Sequence, residues 1–203
     1  MGRIDFRTGD LSKRLGGLVG ARWKQTPYVR RYVIPANPQT VDQMLVRNAW
    51  AFLVAMGRRI NSTILKVYTI PKPNAMSAFN RFMQINKAQI DGGLLTYSTV
   101  KTAAGGLYLE EPVGCSIAPP CAIATVDWQI GLQGEALAGD IAIACCYNET
   151  QDSWGFATTA LRSDNTVDVT LDVAIDDVVH AWVFMVQGTD ISSESVYALG
   201  EVV

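Results

Sequence analysis

The chain has one histidine, His180, and four cysteines, Cys115, Cys121, Cys145 and Cys146, none of them in a Cys-x-x-Cys pair. A Ser/His/Asp triad would have to pass through His180. Its setting in "VVHAWVFMV" marks it as a sheet residue, and no G-x-S-x-G elbow accompanies it. A zinc site lacks its ligand spacing. Cys145 and Cys146 are adjacent, so in a strand they point to opposite faces and do not pinch one ion. Buried free thiols are expected, and cytosolic synthesis argues against a Cys115–Cys121 bridge. The glycine cluster "LGGLVGARWK" lacks the Gly-Lys-Ser/Thr ending of a phosphate loop. Asp172, Asp176 and Asp177 in "LDVAIDDVV" do not have EF-hand spacing and read as a solvated loop. No catalytic residue, metal or cofactor is expected. No apolar run reaches the roughly 18 residues of a membrane helix. The start, "MGRIDFRTGDLSKR", lacks the apolar stretch of a signal peptide. The expectation is synthesis in the cytoplasm without membrane insertion.

Acidic residues are missing from a long stretch. None occurs from Leu11 to Val41. From Met1 to Ile90 fifteen Lys and Arg face only Asp5, Asp10 and Asp42, a net +12. From Asp91 onward the shortage reverses: Lys101 and Arg162 face sixteen carboxylates, a net −14. The overall charge of −2 hides this split. Such asymmetry speaks to partners rather than to fold.

What the acid-free stretch contains is "GARWKQTPYVRRYVIPANPQT", an alternation of aromatic, aliphatic and basic side chains. Two short strands, about 18–24 and 28–34 around a turn at Gln25-Thr26-Pro27, form a hairpin. A lone hairpin is marginal in water and needs something to lie against. Thr40 then N-caps a helix, with Gln43 three residues on completing a capping box. Apolar residues recur at helical spacing from Val41 to Ile60. A second helix is expected at about 75–90, ended by Gly92-Gly93. Beyond it the pattern becomes period two. Seven short strands are expected, at about 106–110, 122–130, 141–147, 154–160, 167–173, 179–186 and 195–199, with Trp128 and Trp182 as core anchors and Asp164-Asn165 as a hairpin turn. The fold class is therefore α+β. A basic arm, hairpin and helical region (1–92) and a linker (93–104) precede an acidic, antiparallel immunoglobulin/fibronectin-type β-sandwich (105–203).

The segment from Gly16 to Asn86 resembles a group of tailed-phage and prophage proteins. The resemblance rests on Tyr28, Val29 and Arg30, then the N-P-x-T-x-x-Q-x-x-x-R helix start of Asn37, Pro38, Thr40, Gln43 and Arg47, then Ala78, Phe79 and Asn86. The closing "YALGEVV" also looks like the end of those proteins' sandwich domain. After Gly57 the chain departs from the group, with "RRINSTILKVYTIPKP" where a Trp-containing continuation is the pattern. The resemblance implies a virion component and brings no catalytic residues with it.

Three roles follow as expectations. The first is a structural virion protein of tail or capsid that forms homo-oligomers. In it the arm, through Arg22, Trp23, Lys24, Tyr28, Arg30, Arg31 and Tyr32, meets the acidic sandwich of a neighbouring copy, and other virion proteins join it. The second is nucleic-acid binding, since arginines grip phosphates and aromatic rings stack on bases. The third is a carbohydrate- or receptor-binding sandwich that offers Trp154 or Tyr147 on an exposed loop.

Overall fold

In the computed structural model the described residues are 3–5, 10–23, 26–34, 36–37, 39–66, 76–91, 95–117, 122–174, 176–188 and 191–202. They fall into two compact units, Met1–Thr40 and Val41–Val203. The packing boundary falls after Thr40, whereas the sequence set the end of the arm and helical region at residue 92.

The first unit is a four-stranded antiparallel meander of β1 (Arg3–Asp5), β2 (Asp10–Leu15), β3 (Leu18–Trp23) and β4 (Thr26–Arg31), in that order. Gly16 and Gly17 link β2 to β3, and Gly16 takes a φ of +58° that a side chain would resist. The expected hairpin is β3–β4, paired from Leu18↔Arg31 to Trp23↔Thr26. Thr26 and Pro27 therefore sit in the strand, not in the turn. Pro27 is tolerated because β4 is outermost in the sheet and needs no donor on that side.

The second unit begins with α1 (Val41–Ile60), which starts where the capping pattern placed it and runs on into a π-helical turn, Asn61–Leu65. The single helix expected at 75–90 is two: α2 (Ala78–Ile85) and α3 (Lys87–Asp91). Asn86 interrupts them. Fully buried, it donates through Nδ2 to the carbonyls of Phe82 and Lys101, both at 3.0 Å, and accepts from the Lys101 N–H at 2.8 Å. A short polar side chain that bonds to backbone in this way competes with helix continuation. Gly57 lets α1 and α2 approach. A Cβ there would lie 2.9 Å from both the Phe79 and Phe82 rings.

The sandwich follows the helices. One sheet has the order β13 (Glu201–Val202), β5 (Glu110–Ile117), β6 (Ile123–Gln129), β9 (Thr166–Thr170). The other has β11 (Ile191–Ser192), β10 (Val179–Gln187), β7 (Ile141–Asn148), β8 (Ser153–Leu161), and β12 (Val196–Leu199) also pairs with β10. Named A to G in chain order, the sheets are A-B-E and G-F-C-C′, the fibronectin type III arrangement, so the α+β class with a β-sandwich holds. One expected detail does not. The turn at Asp164-Asn165 joins β8 to β9, which lie in different sheets, so it is a crossing between sheets and not a hairpin. Asn165 takes the positive φ, +65°, that the change of direction needs.

Alternation along each strand divides two cores. Ala142, Ala144 and Cys146 of β7, with Ala181, Val183 and Met185 of β10, face the other sheet and meet Val126, Trp128 and Ile117. The intervening Ile143, Cys145, Trp182 and Phe184 face outward and are covered by Leu53, Met56 and Ile60 of α1, Phe82 of α2 and Ile90 of α3. The second unit is therefore three layers, sheet on sheet on helices. This is why "VHAWVFMV" is apolar without a break: β10 is buried on both faces. Cys115, Cys145 and Cys146 are buried free thiols, and burial pushes the Cys145 thiol far up. Cys121 lies outside the described residues. Among the described residues no helix is long and apolar enough to cross a membrane.

Candidate assembly interface

The register of the arm sheet sorts the side chains singled out in the sequence. Arg14 pairs with Val19 and Val19 with Arg30, while Ala21 pairs with Tyr28 and Trp23 with Thr26. Opposed residues share a face, and so do residues two apart. Trp23, Tyr28, Arg30, Tyr32 and Arg14 therefore lie on one face of the sheet. The Arg14 guanidinium lies 3.9 Å from the centre of the Tyr32 ring and also donates to the Gly16 carbonyl at 2.9 Å. Trp23 is 70% exposed, and every residue of β4 is exposed. Arg31 lies on the opposite face with Leu18 and Val29. Arg22 belongs to β3, but its side chain, like the whole of Lys24, lies outside the described residues. The helix-start residues Asn37, Thr40, Gln43 and Arg47 are all exposed, and Gln43 and Arg47 sit one turn apart on α1. Pro38 lies outside the described residues.

A family model matches residues 10–198, from β2 through most of β12, under the description "Family of unknown function (DUF6266)". The chain belongs to DUF6266. No curated protein matches it.

In this DUF6266 chain the acidic half is less compensated than its net charge suggests. Arg162 is fully buried, bonded through Nε and Nη2 to Asp140 at 3.1 Å and to the carbonyls of Gly131 and Tyr108 at 3.1 and 2.8 Å. Lys101 is paired with Glu194 at 3.0 Å. Neither cation reaches the four exposed carboxylates at one pole of the sandwich. There the C–C′ turn carries Glu149 and Asp152, and the following E–F loop carries Asp172 and Asp176, all exposed. The two loops are tied together. Asn148 Nδ2 donates to the Asp172 carbonyl at 2.9 Å, and the Glu149 N–H donates to the Val178 carbonyl at 2.9 Å.

Asp177 locks the same junction from inside. Its carboxylate accepts from the Ala174 N–H at 2.8 Å, from Asn148 Nδ2 at 2.7 Å and from Gln151 Nε2 at 2.6 Å. These donors, the backbone N–H first, hold its carboxyl below the ordinary 3.8. A carboxyl ringed by N–H donors is an anion's setting, and among the described residues no group of three or more His, Cys, Asp and Glu is placed to hold a metal. A folded-state pKa below the ordinary one means the lock is at full strength above that value and is lost as pH falls through the folded one. Amide exchange in residues 149–152 should therefore accelerate as pH drops below 3.8, after correction for the intrinsic rate. An Asp177→Asn protein should exchange fast at every pH. Equal, pH-independent protection in both proteins would refute the lock.

Beside this pole a cleft of about 180 Å³ opens between α1 and strands β7 and β8. Phe52, Ala55, Met56 and Arg59 of α1 line it, with Tyr97, Tyr147, Asp152 and Trp154. The sequence reading put Tyr147 and Trp154 on an exposed loop. They are instead opposed residues of β7 and β8, half-buried, with rings stacked at 4.5 Å. Arg59 and Asp152 pair across the rim at 2.9 Å. Behind them His180 is buried in the sheet, as its neighbours implied. Its Nδ1 bonds the Tyr197 hydroxyl at 2.8 Å, its Nε2 bonds Glu149 at 3.0 Å, and Tyr97 stacks on it at 4.0 Å. Burial pushes the phenols of Tyr97, Tyr147 and Tyr197 above their ordinary value, so all three remain neutral. Sequence reasoning missed this cleft because its walls come from three separate stretches. Only the aromatic content of "YNETQDSW" pointed toward it.

Proposed function

We propose that the protein is a structural subunit that associates head to tail with copies of itself, the basic arm of one copy meeting the acidic surface of the next. The observation that carries this reading is the arm face. It gathers Arg14, Trp23, Tyr28, Arg30 and Tyr32 on one exposed side of a sheet, in a stretch without a single acidic residue. The unit to which these residues belong has eight basic and two acidic residues, while Val41–Val203 has nine basic and seventeen acidic. Opposite charge on two different surfaces of one subunit favours heterologous contacts, which close into rings or propagate as filaments and lattices. Aromatic side chains supply area at the centre of such contacts, and arginines supply orientation. The resemblance of residues 16–86 to tailed-phage proteins supports a virion, tail or capsid, as the particle, with no enzymatic step in the protein's own role. The same face also suits single-stranded nucleic acid, through phosphate contacts and base stacking.

Electron microscopy and light scattering of the purified protein at low and high salt test the reading. Rings, tubes or shells that loosen as salt screens the arm–sandwich attraction are expected. A monomer at both salts and at high concentration overturns it. If that monomer retains DNA or RNA in a salt-dependent manner, the arm belongs to nucleic acid.

A further inference from the structure

The assembly reading names the arm but leaves its receiving surface unassigned. Two features of the second unit coincide at one pole. The first is the aromatic-walled cleft beneath α1, large enough for one aromatic side chain and too small for a strand. The second is the set of exposed carboxylates at the same pole: Asp152, which lines the cleft, Glu149 on the same turn, and Asp172 and Asp176 on the E–F loop bonded to that turn. The loops that bear them contain no Lys or Arg, and among the described residues Arg59, already bonded to Asp152, is the one cation lining the cleft. An aromatic-walled slot beside negatively charged loops is complementary to an exposed aromatic ring flanked by arginine. The arm presents that combination. Trp23, 70% exposed at the end of β3, shares a face with Tyr28 and Arg30.

We propose that the cleft between α1 and β7–β8 receives the Trp23 side chain of a neighbouring copy, with that copy's Arg30 set against the carboxylates of the C–C′ and E–F loops. The inference rests on the self-association reading and gives it a contact. The donor face and the receiving cleft are different surfaces of the same chain, so each copy has one of each to offer. The contact can therefore repeat from copy to copy.

The test uses the full chain. Position 23 carries the photoreactive benzoylphenylalanine, and these chains are mixed with an isotopically heavy preparation of unmodified protein before irradiation. Cross-links from light to heavy chains, within peptides containing Phe52–Arg59 or Tyr147–Trp154, are expected. In parallel, Ala55→Trp fills the cleft from the exposed side of α1, and Asp172→Lys with Asp176→Lys reverses the charge of the E–F loop. Each should raise the concentration needed for assembly at least tenfold while the melting temperature stays within a few degrees of the parent's. If the parent assembles but both variants assemble at its concentration and cross-links fall elsewhere or within one chain, the cleft is not the acceptor, and the assembly reading stands without it. If the parent never assembles, both ideas fall together. Should position 23 instead cross-link to added oligonucleotide and to no second chain, the arm face belongs to nucleic acid and the cleft proposal is overturned.

Discussion

Arg162→Met is expected to cost about 3–5 kcal/mol of folding stability, the typical cost of removing one partner from a buried ion pair. In a chain of this size that is a fall in melting temperature on the order of 10 °C. The guanidinium and the Asp140 carboxylate are 0% and 1% exposed, and Asp140 also accepts from the Leu137 N–H at 2.9 Å and from Gln187 Nε2 at 3.2 Å. Methionine approximates the length of the lost side chain, so the loss is mainly electrostatic. It leaves a buried anion with two neutral donors and takes the donor away from the carbonyls of Tyr108 and Gly131. The backbone around Arg162 is bound too, with Trp128 Nε1 donating to its carbonyl at 3.0 Å. The network joins the approach to β5, the loop between β6 and β7, the end of β8 and the end of β10. Its loss should be global, read in urea unfolding as a lower midpoint with an unchanged slope. Adding Asp140→Leu to Arg162→Met should recover part of the loss, because the orphaned anion goes while the two carbonyls still lack their donor. A single variant that melts within 2 °C of the parent, about half a kcal/mol at this size, would show that water replaces the guanidinium cheaply and that the ion pair does not hold this end of the sandwich.

Trp182→Ala should be of similar size, about 3–5 kcal/mol, because a large side chain is removed from a packed site that relaxes only in part. Trp182 is fully buried on the helix side of β10, among Phe184, Leu53 and Phe82. Its indole Nε1 has no hydrogen-bond partner. Trp182→Phe therefore forfeits no hydrogen bond and should cost no more than about half as much. The location of the damage separates this variant from Arg162→Met. Trp182→Ala should speed amide exchange in α1 and α2 first, while β6 and β9, on the far side of the inter-sheet core, keep their protection until global unfolding. Equal loss of protection in all three layers would mean that helices and sandwich unfold as one unit.

Much of this architecture was readable from residue order. The pattern of apolar residues gave β6, β7, β8, β10 and β12 within a residue or two: β6 alternates because one face is in a core, and β7 and β10 are apolar almost throughout because both faces are. The helix start at Val41 was readable because capping chemistry is local. β5 was placed too early, at 106–110. The true strand, "EEPVGCSI", has two glutamates, Pro112 and Gly114, and its register shifts between Glu110 and Gly114. Proline and glycine are tolerated there as a bulge, and neither looks like a strand from sequence. The break at Asn86 was hidden because its cause, the Lys101 backbone, is fifteen residues away. The same limit concealed the cleft beneath α1 and the packing of the helices on the sandwich. Local pattern records which face of an element is apolar and says nothing of what will cover it. The arm's aromatic and basic residues were legible as a set, but their division between two faces needed the β2–β3–β4 register.

That register also bears on how long an unpaired subunit survives. β4 is the outermost strand of the arm sheet, so it shows a row of ungrouped N–H and C=O groups to any strand that passes. Thr26, Tyr28 and Val29 alone would make it an adhesive edge. Pro27 deletes one donor from the row, and Arg30 and Arg31 place like charges where two such edges would have to pair, one on each face. Identical arms therefore repel one another along their edges. On the assembly reading proposed above, the arginines act twice in the life of the chain, as guards against indiscriminate β-stacking while the subunit is alone, and as the charge that an acidic surface can accept once it is not.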